Sequence, residues 1–150
     1  MVKLLLTILT ACAGFSFNSF AQDESSAVKA VIEKETTSFF AVDKKNWEGT
    51  WLKAPYAYWS YADSTSGSFV EGTEKIMENF NEYFKTAKPS KSKIERVWLE
   101  VRIYNKGAYV RFIQKATDGI DIEQTSETRV LEKDKDGKWK IVFLSAVVKY

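Results

Sequence analysis

Ser126-Glu127-Thr128-Arg129-Val130-Leu131-Glu132-Lys133, followed by Gly137-Lys138-Trp139-Lys140-Ile141-Val142-Phe143, reads as a strand, a turn and a second strand. Upstream, from Ile94, the pattern is the same: strand, turn, strand, turn. The expected architecture is α+β: a strongly bent antiparallel sheet forming a cone-shaped barrel over a pocket, packed against about three N-terminal helices.

Within the meander, Val97, Leu99, Val101 and Ile103 alternate with Arg96, Trp98, Glu100, Arg102 and Tyr104, the period of a strand with two unlike faces. A two-residue loop at Lys106-Gly107 pairs Ile103 with Val110 and Val101 with Phe112. That register gathers the apolar row on one face and sets Tyr109 and Arg111 on the other, beside Trp98. Ile141 to Val148 is apolar on both faces. Asp118-Gly119-Ile120-Asp121 and the stretch around Asp134 and Asp136 read as hairpin turns rather than calcium loops.

Ahead of the sheet, Ser25 or Ser26 is expected to cap a first helix, with Val28, Val31, Ile32, Phe39 and Val42 recurring at helical steps. Asp43 caps a short second helix bearing Trp47 and Trp51, and Pro55 ends it. Tyr56 to Ala62 is aromatic enough for a strand, and Asp63-Ser64-Thr65-Ser66-Gly67 is a turn-rich loop. Gly72-Thr73 opens a third helix with Ile76, Phe80, Tyr83 and Phe84 as its buried stripe. The lysines between Lys85 and Lys93 read as a solvated loop.

Residues 1–21 have the form of an export signal: Lys3, an apolar run from Leu4 to Phe17, and Ser19-Phe20-Ala21 before Gln22. Residues 22–150 then form a single domain, exported to a periplasmic or secreted location and free of cysteine. The alternative is lipid anchoring through Cys12, since Leu9-Thr10-Ala11-Cys12 looks like a lipobox. Removing the signal takes away Lys3 alone, so the formal charge falls from +2 to +1. That balance argues against nucleic acid as a partner, and no later apolar run has the length for membrane insertion.

Gly107-Ala108-Tyr109-Val110-Arg111-Phe112-Ile113-Gln114, the Ser126 to Leu131 segment and Asp136-Gly137-Lys138-Trp139-Lys140-Ile141-Val142, with Phe69-Val70-Glu71-Gly72, resemble a known superfamily. It is the nuclear-transport-factor-2-like, or SnoaL-like, group of cone-shaped barrels. The branch it looks most like is the association (hub) domain of calcium/calmodulin-dependent protein kinase II and its bacterial relatives. The order of elements agrees over essentially all of residues 22–150. The resemblance implies that the arginines of the Ala-Tyr-x-Arg and Glu-Thr-Arg-Val strands, here Arg111 and Arg129, hold a carboxylate in the pocket. Hub domains also carry a pocket histidine on the third helix and a His-x-Ser-like ending. This chain has no histidine, Ile76 lies near the first position, and Ser145-Ala146-Val147 occupies the second.

The absence of histidine, with the sole cysteine at position 12, leaves no basis for a zinc, haem or histidine-based triad site. No glycine-rich phosphate loop occurs, and no cofactor is implied. The expected function is binding of a small carboxylate-bearing molecule, non-catalytic or weakly catalytic. Arg111 and Arg129 would hold it between walls from Trp98, Tyr109 and Trp59. The same arginines on a purely structural sheet would instead pair with Glu100, Glu123 or Glu127. Trp47, Trp51, Trp59, Tyr61 and Trp98 also suit a core. The alternative is an isomerase-, dehydratase- or cyclase-type enzyme using a buried carboxylate (Asp43, Asp63, Glu100 or Glu127) and a tyrosine (Tyr58, Tyr61 or Tyr109). With the arginine face inward, the row Val97, Leu99, Val101, Ile103, Val110 and Phe112 faces outward and is covered in a homodimer. Packed under the helices instead, it would put Arg111 outside.

Overall fold

A computed structural model describes residues 16–149. The elements run α1 (Ser16–Phe40), α2 (Lys44–Glu48), β1 (Tyr58–Ala62), β2 (Gly67–Glu71), α3 (Thr73–Asn79), α4 (Asn81–Thr86), β3 (Lys93–Ile103), β4 (Gly107–Asp118), β5 (Asp121–Lys133) and β6 (Trp139–Val148). One curved, unclosed sheet has the order β2-β1-β6-β5-β4-β3. All pairs are antiparallel except β1 with β6, which is parallel. The fold is α+β, as expected.

Several local expectations change. Helix α1 already runs at Ser16, the first described residue, so neither Ser25 nor Ser26 caps it. Most of the expected export signal, residues 1–15, lies outside the described residues. At the other end of α1, Asp43 N–H reaches Ser38 O (2.8 Å) and Val42 N–H reaches Phe39 O (3.0 Å). That closure places Val42 at φ 57°, a strained conformation for a β-branched residue. Asp43 then caps α2 through Asn46 N–H at 3.0 Å, as expected. Pro55 and Tyr56 form a turn closed by Ala57 N–H on Ala54 O, so β1 starts only at Tyr58, and β2 (Gly67–Glu71) is a strand that begins at the last residue of the expected 63–67 loop. The third helix breaks at Phe80 into α3 and α4.

The largest correction concerns β3. Its turn uses Asn105-Lys106, with Tyr104 N–H on Gly107 O at 2.7 Å, so Val101 pairs with Val110 and Ile103 with Ala108. Beyond that, a bulge between Trp98 and Glu100 inserts Leu99 as an unpaired residue. One extra residue reverses which side each side chain takes. Val101 and Ile103 therefore pack on the core, whereas Val97 (62% exposed) and Leu99 (50%) face outward. The row expected on one face is thus divided, and Trp98 joins the concave side with Phe112. Val110 and Phe112 are fully buried, so they lie inside rather than at an outward dimer face.

The core sits between the concave face and the helices. Val28 and Ile32 of α1, Ile76 of α3, and Val110, Phe112, Leu131 and Ile141 of the sheet are all fully buried. An aromatic cluster fills one part: Phe39 stacks on Tyr83 at 4.4 Å, and Trp47 packs against Phe80 and Phe84 at 5.2 and 5.0 Å. These rings are structural, contributing large apolar burial and edge-to-face contacts. In the chain from Gln22, Phe112→Ala should cost about 3–5 kcal/mol in urea denaturation. Leu99→Ala should stay within about 0.5 kcal/mol. Equal losses at the two positions would overturn this assignment of faces.

Candidate functional site

Alternation along β5 turns Thr125, Glu127, Arg129 and Leu131 inward, and each is buried. The register lines them up with neighbours on the same concave face. Arg96, Gln114 and Thr125 form one cross-strand row; Trp98, Phe112 and Glu127 form the next; Val101, Val110 and Arg129 form a third. From above, α1 contributes Glu35, which lies on the helix stripe between Ile32 and Phe39 and is 5% exposed. The site is therefore two guanidiniums, two carboxylates, an amide and aromatic rings inside a curved sheet.

Its hydrogen bonds are uneven. Arg129 Nη1 donates to Glu127 Oε2 at 2.6 Å, and Thr125 Oγ1 donates to Glu127 Oε1 at 2.6 Å. Trp47 Nε1 donates to Glu35 Oε1 at 3.0 Å, and Thr36 Oγ1 reaches Glu35 Oε2 at 3.3 Å. Arg129 Nη2 stands 3.7 Å from Glu35 Oε2. By contrast, Arg96 Nε and Nη2, Arg129 Nε and Gln114 Oε1 are buried with no hydrogen-bond partner among the described residues. The Arg96 and Arg129 guanidiniums lie 5.7 and 5.4 Å from the centroid of the Phe112 ring, which offers a cation–π contact but no acceptor.

Burial is the largest influence on Glu35 and raises its pKa; Arg129 and the Trp47 hydrogen bond oppose the shift, and Glu127 adds to it. Burial also pulls Arg96 below the usual guanidinium value, opposed first by Glu35. A guanidinium remains charged under such a shift.

The five residues expected at the site are not brought together. Arg129 and Trp98 are in it. Trp59 is on the same face, but its ring packs on Phe80 at 4.9 Å in the aromatic core. Arg111 pairs across to Thr128 while Val110 pairs with Arg129, so the two arginines point to opposite faces; Arg111 is exposed. Tyr109, two residues along, shares the outer face with Arg111. Among the carboxylates considered for acid–base work, Asp43 caps α2, Asp63 accepts from Thr65 and Ser66 N–H (2.7 and 2.8 Å), and Glu100 pairs with Arg102 at 3.2 Å on the surface. Asp43 and Asp63 have lowered pKa values because hydrogen bonds favour their ionised forms. Only Glu127 is interior. Tyr58 stacks on the outer face with Phe143 and Phe69, and Tyr61 reaches Glu123 at 3.2 Å.

Glu35, Arg96 and Gln114 are the additions. A carboxylate inside the Val28, Ile32, Phe39 stripe was the visible signal for Glu35. Arg96 shares its alternating face with Trp98 in the sequence, and the Leu99 bulge keeps both inward although Val101 and Ile103 also pack on the core. Two surface cavities lie elsewhere: about 410 Å³ beside Glu24, Lys34 and Trp139, and about 840 Å³ beside Pro55, Thr73 and Met77. Neither is lined by the unpaired interior donors, so these two cavities and the chemistry do not coincide. The unpaired buried groups define the site, because each costs free energy until it meets a partner.

No family model matches the chain, and no curated protein matches it. Solved structures do. An NTF-2 like protein of unknown function from Shewanella oneidensis superposes with a TM-score of 0.66 at 14% identity, covering 83% of this chain and 98% of that one. A ketosteroid isomerase-like protein from Erwinia carotovora atroseptica gives 0.64 at 16%, covering 85% and 98%. A Thiobacillus denitrificans protein provisionally assigned as a calcium/calmodulin-dependent protein kinase type II association domain gives 0.64 at 11%, covering 81% and 94%. At such identities the likeness is one of fold. The chain has the nuclear-transport-factor-2-like fold.

Removing the central cation should show how the interior is balanced. Arg129→Met strands Glu127 and Glu35 and should cost about 3–5 kcal/mol by chemical denaturation. Glu35→Gln should behave differently. A carboxyl whose pKa is raised on folding favours the folded state below its unfolded pKa, and that contribution is lost as pH rises through the folded value. The stability of Glu35→Gln relative to wild type should therefore increase as pH rises above the ordinary carboxylate range. A constant difference over that rise in pH would contradict the raised pKa.

Proposed function

We propose that the concave face binds a small molecule through its carboxylate, with Arg96 as the receiving group. One observation carries this reading: Nε and Nη2, the two unpaired buried donors of Arg96, lie on the same edge of the guanidinium. That edge is the fork that accepts a carboxylate side-on through two parallel hydrogen bonds. Trp98, whose ring lies 5.0 Å from that of Phe112, supplies an apolar wall. Arg129, tied to Glu127, contributes positive potential and its free Nε. Arg111 and Tyr109 take no part.

An acid–base enzyme is the less favoured reading. Glu127 is neutralised by Arg129, and the other carboxylates considered are caps or surface partners. A panel of small carboxylates should give thermal-shift hits with the chain from Gln22. A ligand at a hundred times its Kd adds about 2.7 kcal/mol of stability. Those hits should vanish in Arg96→Gln and persist in Arg111→Ala; the reverse pattern would refute the Arg96 site.

The protein is further proposed to act after export, with residues 1–21 removed, and to form a homodimer. Support for the dimer comes from the outer face. There Tyr58 stacks between Phe143 (5.4 Å) and Phe69 (6.0 Å), Phe69 is 70% exposed, and Val147 is 47% exposed. An apolar outer patch of this kind suits a self-complementary interface. Sedimentation at micromolar concentration should give a dimer for wild type and a monomer for Phe69→Lys with Val147→Lys. A wild-type monomer would exclude the interface.

A further inference from the structure

We infer that a monocarboxylate bound at Arg96 brings one proton with it, and that Glu35 holds that proton. The inference rests on the carboxylate site proposed above and concerns its charge balance. Side-chain exposure is 7% for Glu35, 4% for Glu127 and 4% for Arg129, so these charges lie in a nearly dry interior, with the partly buried Arg96 on the same face. With both glutamates ionised, Arg96, Arg129, Glu35 and Glu127 sum to zero, and the two charges of α1 nearest the site, Lys29 at 5.2 Å from the Trp98 ring and the exposed Glu33 acting on Arg96, are opposite in sign. An incoming carboxylate would leave it one negative charge in excess, a costly state away from water. Protonating one glutamate removes the excess.

The hydrogen bonds select which one. Both oxygens of Glu127 already accept hydrogen bonds, from Arg129 and Thr125, each at 2.6 Å. Glu35 is faced by Trp47 from α2, Thr36 from its own helix, Arg129 and Glu127 from β5, and Arg96 from β3. Its one close ionic neighbour, Arg129 Nη2, is at 3.7 Å, longer than a hydrogen bond. The neutral form also fits this geometry. Oε1 goes on accepting from Trp47 Nε1, while a proton on Oε2 points to Thr36 Oγ1 at 3.3 Å. Thr36 can accept it because its own hydroxyl hydrogen is directed to Ile32 O at 3.2 Å. Burial already disfavours the charged form of Glu35 before any ligand arrives.

The coupling has a measurable sign. Between the pKa of Glu35 in the free protein and its higher value in the complex, each bound monocarboxylate takes up one proton, and affinity falls about tenfold per pH unit. Sodium benzoate is a suitable probe, since its flat ring matches the Trp98 wall and it is already ionised over the range of interest. Calorimetric titration of the chain from Gln22, in buffers of different ionisation enthalpy, counts the protons. Wild type should take up one proton within that window, and Glu35→Gln should bind benzoate with a Kd independent of pH. Binding by wild type without proton uptake would overturn the coupling while leaving the carboxylate site intact. Persistent pH dependence in Glu35→Gln would do the same. Without ligand, the Glu35 carboxyl carbon, identified in the NMR spectrum by its absence from Glu35→Gln, should titrate above the ordinary carboxylate range. Titration within that range would also overturn the coupling. Failure of benzoate to bind wild type would instead sink the site, and the coupling with it.

Discussion

A buried ion pair, Arg129 to Glu127 at 2.6 Å, organises the inside of this sheet. Both residues project from one strand two positions apart, so the backbone of β5 alone sets their separation. That local origin makes the pair independent of helix placement, and the other interior polar groups arrange themselves around it. Thr125 fills the second oxygen of Glu127, Phe112 supports the Arg129 guanidinium, and Glu35 approaches from α1 without making a hydrogen bond to it. Buried pairs seldom add net stability over apolar packing of the same volume. Their retention here is better understood through the state they impose: one guanidinium committed to a carboxylate, and a second, Arg96, left with an open edge.

The overall architecture was legible because β5 alternates, β6 reads as an apolar run, and clear turns separate the strands from β4 onward. The opposition of Arg111 and Arg129 was also present in the letters. Asp118-Gly119-Ile120-Asp121 makes a two-residue turn, which aligns Asp118 with Asp121 and, carried back, Arg111 with Thr128. Register fixed by a turn outranks any likeness of neighbouring motifs, since a slip of one position sends every side chain to the other face. The Leu99 bulge is a different case. Val97, Leu99, Val101 and Ile103 keep perfect alternation, so nothing in the pattern marks the extra residue. Only the demand of the interior reveals it: Phe112 and Gln114 must be covered from β3, and Trp98 and Arg96 do so.

Helical residues tell a similar story. Glu35 interrupts an apolar stripe, a visible anomaly, yet an anomaly on a helix does not say what it faces. The answer depends on β5 bringing Arg129 beneath that turn and on α2 bringing Trp47 beside it. Such assignments depend on tertiary geometry and escape any reading confined to a window of the chain. Asp43 shows the converse. Its position before Lys44-Lys45-Asn46-Trp47 suited a helix cap, and a cap it is, which removes it from chemistry.

Fold similarity constrains the function less than these placements do. Proteins described as isomerase-like and as kinase association domains superpose on this chain about equally well. The curved sheet is thus a frame that accepts different interiors, and function has to be argued from the interior. In this one, Asp43, Asp63 and Glu100 are spent on a cap, a turn and a surface pair, Glu127 is tied to a guanidinium, and Glu35 approaches its nearest cation only at 3.7 Å. What is unspent is a donor edge, on Arg96, and an acceptor beside it, Gln114 Oε1. Under the carboxylate-binding reading proposed here, the open edge of Arg96 would receive the anion, and Glu35, by becoming neutral, would keep the interior from accumulating charge.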